Sequence, residues 1–102
     1  MTKVIIHPGI CGFDAYIEAK ASGSNVKLLI ESECEDVKNL ARVLTEISKE
    51  DWMNTKGFAN KIFEFVARNT RHLSCPIPCA IMKAIEVELG MALKKNVEIK
   101  FV

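Results

Sequence analysis

Hydrophobic and polar residues alternate in two neighbouring stretches near the start of the chain. From position 13 to 21 every second residue is apolar, which is the pattern of a strand with one buried face. The apolar members are Phe13, Ala15, Ile17, Ala19 and Ala21. Turn residues at 22–25 lead into a second alternating run from 26 to 31. With the short apolar run Val4-Ile5-Ile6 before them, which ends at Pro8-Gly9, the pattern predicts three strands.

The hydrophobic spacing becomes helical after Glu31. Apolar residues then recur three and four positions apart, which predicts an amphipathic helix. They are Val37, Leu40, Ala41, Leu44 and Ile47. Ser32 and Glu35 have the spacing of a capping box, which makes Ser32 the N-cap and places Cys34 in the first helical turn.

The second half of the chain predicts two more helices and a last strand. The polar stretch Lys49–Gly57 is interpreted as a loop, with Trp52 and Met53 folding back onto the core. A second helix stripe follows, made of Phe58, Ile62, Phe65 and Val66. A third helix begins near Pro78 and is apolar on most sides. Val97–Phe101 alternates again and predicts a final strand.

The predicted order is β-β-β-α-α-α-β over a single domain, residues 1–102. A sheet followed by a run of helices favours a two-layer α+β sandwich. We expect a small, mainly antiparallel sheet of about four strands, with three helices on one face. The apolar helix Ala80–Leu93 should be central in this fold, or should form a homodimer with a second copy.

Composition narrows the functional classes. The 102 residues carry a net charge of +1, and 49% of them are hydrophobic, as in an ordinary soluble globule. No basic patch indicates nucleic-acid binding, and no apolar run is long enough for a membrane span. The short apolar run near Met1 lacks the features of a signal peptide. We therefore expect a cytoplasmic protein, in which thiols stay reduced.

Four cysteines in such a chain require burial, metal binding or redox chemistry as an explanation. Cys75 precedes Pro76, and Cys79 follows Pro78. Because proline is tolerated in the first helical turn, Cys79 is predicted to lie in that turn. Cys34 is predicted at the start of another helix, and Cys11 lies in a loop flanked by glycines.

Helix starts and glycine-rich loops share one physical property, which is an excess of unpaired N–H groups. The resulting positive potential favours a thiolate, the form that binds metals and attacks electrophiles. We expect the three cysteine-bearing segments to converge at one end of the sandwich. The opposing interpretation is that the cysteines are packing or cap residues, since free cysteine behaves as a small hydrophobe. Their spacing matches no zinc or iron–sulfur signature.

Two histidines lie close to cysteines in the sequence. His7 precedes Cys11 by four residues and His72 precedes Cys75 by three. Imidazole is a common metal ligand and can also serve as a base to a thiol. Each histidine could equally well cap the end of a strand or helix.

Three segments resemble a family of small single-domain prokaryotic proteins of unknown function. They are His7–Phe13 (HPGICGF), Glu31–Cys34 (ESEC) and Cys75–Glu86 (CPIPCAIMKAIE). The resemblance extends over nearly the whole chain. It implies no activity.

The resemblance implies that Cys11, Cys34 and Cys75 belong to the family pattern, whereas position 79 is often alanine. Three thiols would then need a fourth group, such as His72 or a side chain of a partner. The first hypothesis is therefore a metal site, for zinc or an iron–sulfur cluster, with Cys79 or His72 as the fourth ligand. A second is thiol-redox chemistry, with Cys75 as nucleophile and Cys79 or Cys34 resolving. A third is a non-catalytic, homodimeric interaction module with structural cysteines.

Overall fold

A computed structural model of the chain describes residues 1–54, 61–69 and 74–102. Two residues of the sequence-based predictions, Phe58 and His72, lie outside these ranges. The elements in chain order are β1 (Thr2–Ile6), β2 (Ala15–Ser22), β3 (Asn25–Ser32), α1 (Glu35–Val43), β4 (Glu46–Ser48), α2 (Lys49–Met53), α3 (Lys61–Asn69) and α4 (Ile77–Glu88).

The sheet is an antiparallel meander with strand order β1-β2-β3-β4. At its centre Ile17 of β2 is paired with Val4 of β1 and with Ile30 of β3. A two-residue turn joins β2 to β3, and Gly23 adopts a φ of 60° there. A positive φ at the first turn position alone fits a type II′ turn, whose twist suits a hairpin. The predicted β2–β3 hairpin is therefore confirmed.

The two faces of the sheet differ in burial as the alternation predicts. On β2 the side chains of Ala15, Ile17 and Ala19 are buried, whereas Tyr16 and Glu18 lie on the opposite face. The same alternation continues on β3, where the buried residues are Val26, Leu28 and Ile30. Side chains of successive strand residues point to opposite faces, so one face of the sheet carries the core and the other stays open.

All the described long helices pack on the buried face. α1 contacts β3, α4 contacts β1 and β2, and α3 contacts both α1 and α4. α4 buries most of its apolar residues in this layer, including Ile77, Ile81 and Ile85. The α+β class with a four-stranded antiparallel sheet and a helical layer is confirmed. The central position of α4 explains its apolar character within one chain, and a homodimer through Ala80–Leu93 stays a prediction.

The fourth strand is not the one that the sequence pattern indicates. α1 ends at Val43, and Ile47, predicted on the helix stripe, is a buried residue of β4 paired with Val26. The chain leaves the helix because the Leu28 N–H donates a 2.8 Å hydrogen bond to the Thr45 carbonyl, which draws this segment onto the sheet edge. Pairing with β3 prevails over the helical spacing.

Three further expectations for the chain after β4 are wrong. The predicted loop Lys49–Gly57 begins with the short helix α2, because the Ser48 hydroxyl caps it by accepting from the Asp51 N–H at 3.0 Å. Trp52 is buried as expected, whereas Met53, expected on the core beside it, is 60% exposed. The predicted final strand Val97–Phe101 pairs with no described strand, and its residues are exposed. No described helix is long and apolar enough to cross a membrane.

Candidate thiol cluster at one end of the sheet

The topology brings three cysteine-bearing segments to one end of the sheet. The end of β1, the start of β2 and the end of β3 lie together there, because Ile6 pairs with Ala15 and Ala15 with Ser32. At the opposite end, the Glu88 carboxylate accepts a 2.8 Å hydrogen bond from the Ala21 N–H. Since Glu88 is the last residue of α4, the helix begins at the first end. The loop 7–14 and the starts of α1 and α4 therefore meet.

Cys11 lies in a tight turn of that loop. The Gly12 N–H donates to the Gly9 carbonyl at 3.0 Å, and both glycines adopt a positive φ. This conformation is one that residues with a side chain rarely adopt. The Cys11 side chain is exposed to solvent. His7, a candidate base or ligand, lies 2.9 Å from the Asp14 carboxylate, and both are exposed.

Cys34 is the N-cap residue of α1 with an extended backbone, and it packs partly buried against the core. The predicted capping box is wrong, because Ser32 is the last residue of β3 and not the cap. Its hydroxyl donates to the Asp14 carbonyl at 2.8 Å and accepts from the Cys34 N–H at 3.2 Å. Ser32 therefore ties the start of α1 to the loop that carries Cys11.

Cys75 and Cys79 lie on either side of the α4 N-cap, Pro76. The helix begins at Ile77, one residue before the predicted start. Cys75 is half-buried against the core, whereas Cys79 is in the first turn, as predicted, and is exposed. The prolines therefore start the helix immediately after one thiol and before the other.

Electrostatics show which of these groups are near one another. Burial raises the pKa of the Cys75 thiol, and the negative charges of Cys34, Cys11 and Asp36 raise it further. A hydrogen bond from the Ile77 N–H acts in the opposite direction. Cys75 therefore lies at the same end of the sheet as the loop that carries Cys11 and the start of α1, where Cys34 and Asp36 lie.

The direction of this shift corrects one expectation. The start of α4 was expected to favour a Cys75 thiolate through its unpaired N–H groups. The Ile77 amide does lower the pKa of Cys75, but burial outweighs it and the pKa is raised. A half-buried sulfur loses hydration that its charged form needs, so the environment favours the neutral thiol.

Asp36 is the member of the cluster that the sequence pattern did not single out. It lies in the first turn of α1, two residues after Cys34, and its charge acts on Cys75. Acidic residues are common in the first helical turn because they complement the helix dipole, so Asp36 has no distinctive sequence signal. Only the fold, which brings the starts of α1 and α4 to the same end of the sheet, makes it a neighbour of the thiols.

The cluster is loose in this structure. All four cysteines are free thiols. Among the described residues, no three cysteine, histidine or acidic side chains are close enough to hold a metal ion. The charges acting on Cys75 do not include that of Cys79, and His72 lies outside the described ranges. Holding an ion would therefore require side-chain rotation that draws the thiols of Cys11, Cys34 and Cys75 together.

A shallow groove of about 330 Å³ lies on the open face of the sheet near the same end. It is lined by Ile5, Asp14, Ala15, Tyr16, Glu31, Ser32 and Glu33. Its lining includes carboxylates and apolar side chains but no thiol. The groove therefore carries different chemistry from the cysteine cluster.

Comparison with protein families gives a match over nearly the whole chain. The sequence model of a protein family of unknown function matches residues 2–101 of the chain. No curated protein matches it, and no solved structure does.

Proposed function

The chain belongs to DUF6951, that family of unknown function, and we propose that it binds a metal ion or an iron–sulfur cluster through Cys11, Cys34 and Cys75. One observation carries the proposal. The loop and the two helix starts that carry these thiols are far apart in the sequence, yet strand pairing and the hydrogen bonds of Ser32 and Glu88 bring the three segments to one end of the sheet. Thiolates are the ligands that zinc and iron–sulfur clusters prefer.

Packing alone does not account for all the cysteines. Burial of a small apolar side chain explains Cys34 and Cys75, which contact the core. It does not explain Cys11, because that side chain is exposed on a turn held by two glycines. A ligand at the rim of a site needs such a position, since it must reach an ion while its loop stays at the surface.

Three residues are candidates for the fourth ligand. Asp36 is the described carboxylate whose charge reaches Cys75, and carboxylate oxygens do bind zinc beside cysteine and histidine. His72 and Cys79 remain the candidates that the sequence indicates. Cys79 is exposed on the first turn of α4, so it would have to turn back toward Cys75.

The competing hypothesis of thiol-redox chemistry gains less support. It requires Cys75 to be a good nucleophile, and the thiolate is the reactive form. Because burial raises the pKa of Cys75, less of it is thiolate at neutral pH. Free thiols at all four positions agree with a reducing compartment, and we place the protein in the cytoplasm as part of the same proposal.

The test is the metal content and visible spectrum of protein purified without oxygen. We expect wild-type protein to hold about one zinc ion, or one coloured cluster, per chain. Replacing Cys11, Cys34 or Cys75 by serine should remove most of the metal. Cys79→Ser tests the fourth ligand, since Cys79 is one of its candidates: loss of the metal would identify Cys79 as that ligand, and retention would leave Asp36 and His72.

Folding must be measured beside metal content, because Cys34 and Cys75 also contact the core. Far-ultraviolet circular dichroism of each variant serves this purpose. Cys11→Ser is the most informative variant, since its exposed side chain contributes nothing to packing. A wild-type protein that stays metal-free after anaerobic incubation with zinc, and with iron and sulfide, would overturn the proposal.

A further inference from the structure

The C-terminal segment, residues 97–102, presents apolar side chains to solvent. Val97 is 61% exposed, Ile99 80% and Phe101 98%. These residues alternate with Glu98 and Lys100, which is the pattern of a strand that has one apolar face. A run of exposed apolar side chains of this kind marks an interaction site. The segment therefore has the sequence of a strand but lacks a described partner.

The sheet has an edge that could receive such a strand. β1 pairs with β2 on one side, and no described strand pairs with its other side. An open edge presents a row of N–H and C=O groups that can bind another strand. β4, at the opposite edge, has only three residues, whereas β1 has five.

The core is incompletely covered at this edge. Val4 and Ile6 point to the helix side of β1 and pack against the core, yet both are only half-buried. Ile17, which is paired with Val4 on the neighbouring strand, is fully buried. A further strand beside β1 would bring apolar side chains next to Val4 and Ile6, and would remove them from water.

We propose that residues 97–102 of one copy add as a strand to the free edge of β1 in a second copy, in a reciprocal exchange that forms a dimer. Charge supports a particular register. With Glu98 next to Lys3, the two opposite charges lie together on the open face of the sheet. If the added strand runs parallel to β1, Ile99 then lies beside Val4 and Phe101 beside Ile6 on the helix side, because neighbouring strand residues point to opposite faces.

The anchoring of α4 explains how two copies can exchange this segment. The Glu88 carboxylate accepts a 2.8 Å hydrogen bond from the Thr2 hydroxyl, so α4 ends beside the start of β1. The segment thus leaves the domain close to the edge strand of its own chain. When two such edges lie side by side around a twofold axis, each segment can reach the edge of the other copy across residues 91–96.

The first experiment compares the full chain with a chain that ends at Asn96, by light scattering coupled to size exclusion at several protein concentrations. The shortened chain loses no residue of the described core, so it should fold, and thermal melting checks this. We expect a dimer for the full chain and a monomer for the shortened one. A full chain that is monomeric at about 100 μM, well above the dissociation constants of specific dimers, would overturn the proposal.

A dimer that persists after the truncation would overturn the proposal equally, and would favour an interface through Ala80–Leu93.

The register is tested by charge reversal. Lys3→Glu and Glu98→Lys should each weaken the dimer about 2- to 30-fold, because the reciprocal exchange contains this cross-strand charge pair twice, and the double variant should restore it. Lys20→Glu, on the open face of β2, is the matched control and should leave the dissociation constant unchanged. Absence of restoration in the double variant would rule out this register.

Discussion

The Thr2 hydroxyl donates a 2.8 Å hydrogen bond to Glu88, which lies 86 residues further along the chain. The other oxygen of the same carboxylate accepts from the Ala21 N–H at 2.8 Å. One side chain thus joins the last turn of α4 to two strands of the sheet. By fixing the end of α4, Glu88 also fixes which end of the sheet receives Cys75.

Glu88→Gln should destabilise the fold. Glutamine can still accept from the Ala21 N–H and can donate its NH₂ to the Thr2 hydroxyl. It carries no charge, however, so both hydrogen bonds lose their ionic character and the N-terminal ammonium, 3.4 Å from the Glu88 carboxylate, loses its partner. Hydrogen bonds to charged groups contribute about 1.5–3 kcal/mol, and we expect a loss of about 2 kcal/mol in the free energy of unfolding by urea denaturation. Glu86→Gln, on the same helix, is the control and should stay within about 0.5 kcal/mol of wild type.

The effect of Glu88 should depend on pH with a defined sign. The Ala21 N–H lowers the pKa of Glu88 below its ordinary value of 4.5, with help from Thr2 and the N-terminus, although burial opposes them. A lowered pKa stabilises the folded state above the ordinary pKa, and this contribution is lost as the pH falls through the folded-state value. The difference in stability between wild type and Glu88→Gln should therefore be largest near neutral pH and shrink below about pH 4.5. A difference that grows on acidification would contradict this assignment.

Tyr16, the one tyrosine of the chain, should titrate at unusually high pH. Its hydroxyl donates a 2.6 Å hydrogen bond to Glu18, and this bond is the main cause that raises its pKa to about 12. Ionisation can be followed by tyrosinate absorbance. Glu18→Gln should return the pKa toward 10.0, the ordinary value. Glu31→Gln should lower it less, because Glu31 acts only through its charge.

Gly90 should be required at the end of α4. Its φ is 73°, and the Met91 N–H donates to the Glu86 carbonyl at 2.8 Å across it, which is a Schellman motif. Nothing lies within 4 Å of a side chain added there, so only backbone strain opposes substitution. Gly90→Ala should cost about 1 kcal/mol. Gly90→Asn should cost less, since asparagine tolerates this conformation, and equal losses in thermal melting would contradict the explanation.

The thiols of the cluster should differ in their reactivity. Cys11 is exposed, whereas Cys75 is half-buried and its pKa is raised. In metal-free protein at neutral pH, alkylation should therefore reach Cys11 before Cys75, as followed by mass spectrometry of digested protein. The rate at Cys75 should rise steeply as the pH is increased, because its thiolate forms late. A Cys75 that reacts first would favour the redox hypothesis.

The sequence by itself determined the elements whose hydrophobic pattern repeats over several residues and competes with no long-range contact. Alternation from 15 to 21 specifies which side chains of β2 are buried, because a strand turns successive residues to opposite faces. Pro78 and the apolar run behind it specify the start of α4 within one residue, since proline fits only the first helical turn.

The tertiary structure decided whatever depends on residues far apart in the chain. Ile47 fits a helix by spacing, yet pairing with Val26 places it in β4. The alternating residues 97–101 are typical of a strand, yet a strand forms only where an edge accepts its hydrogen bonds. Asp36 likewise lies near the thiols only because the fold brings the start of α1 to the end of the sheet where α4 begins. Local periodicity specifies the face of an element, whereas long-range contacts such as Thr2 with Glu88 decide which elements meet.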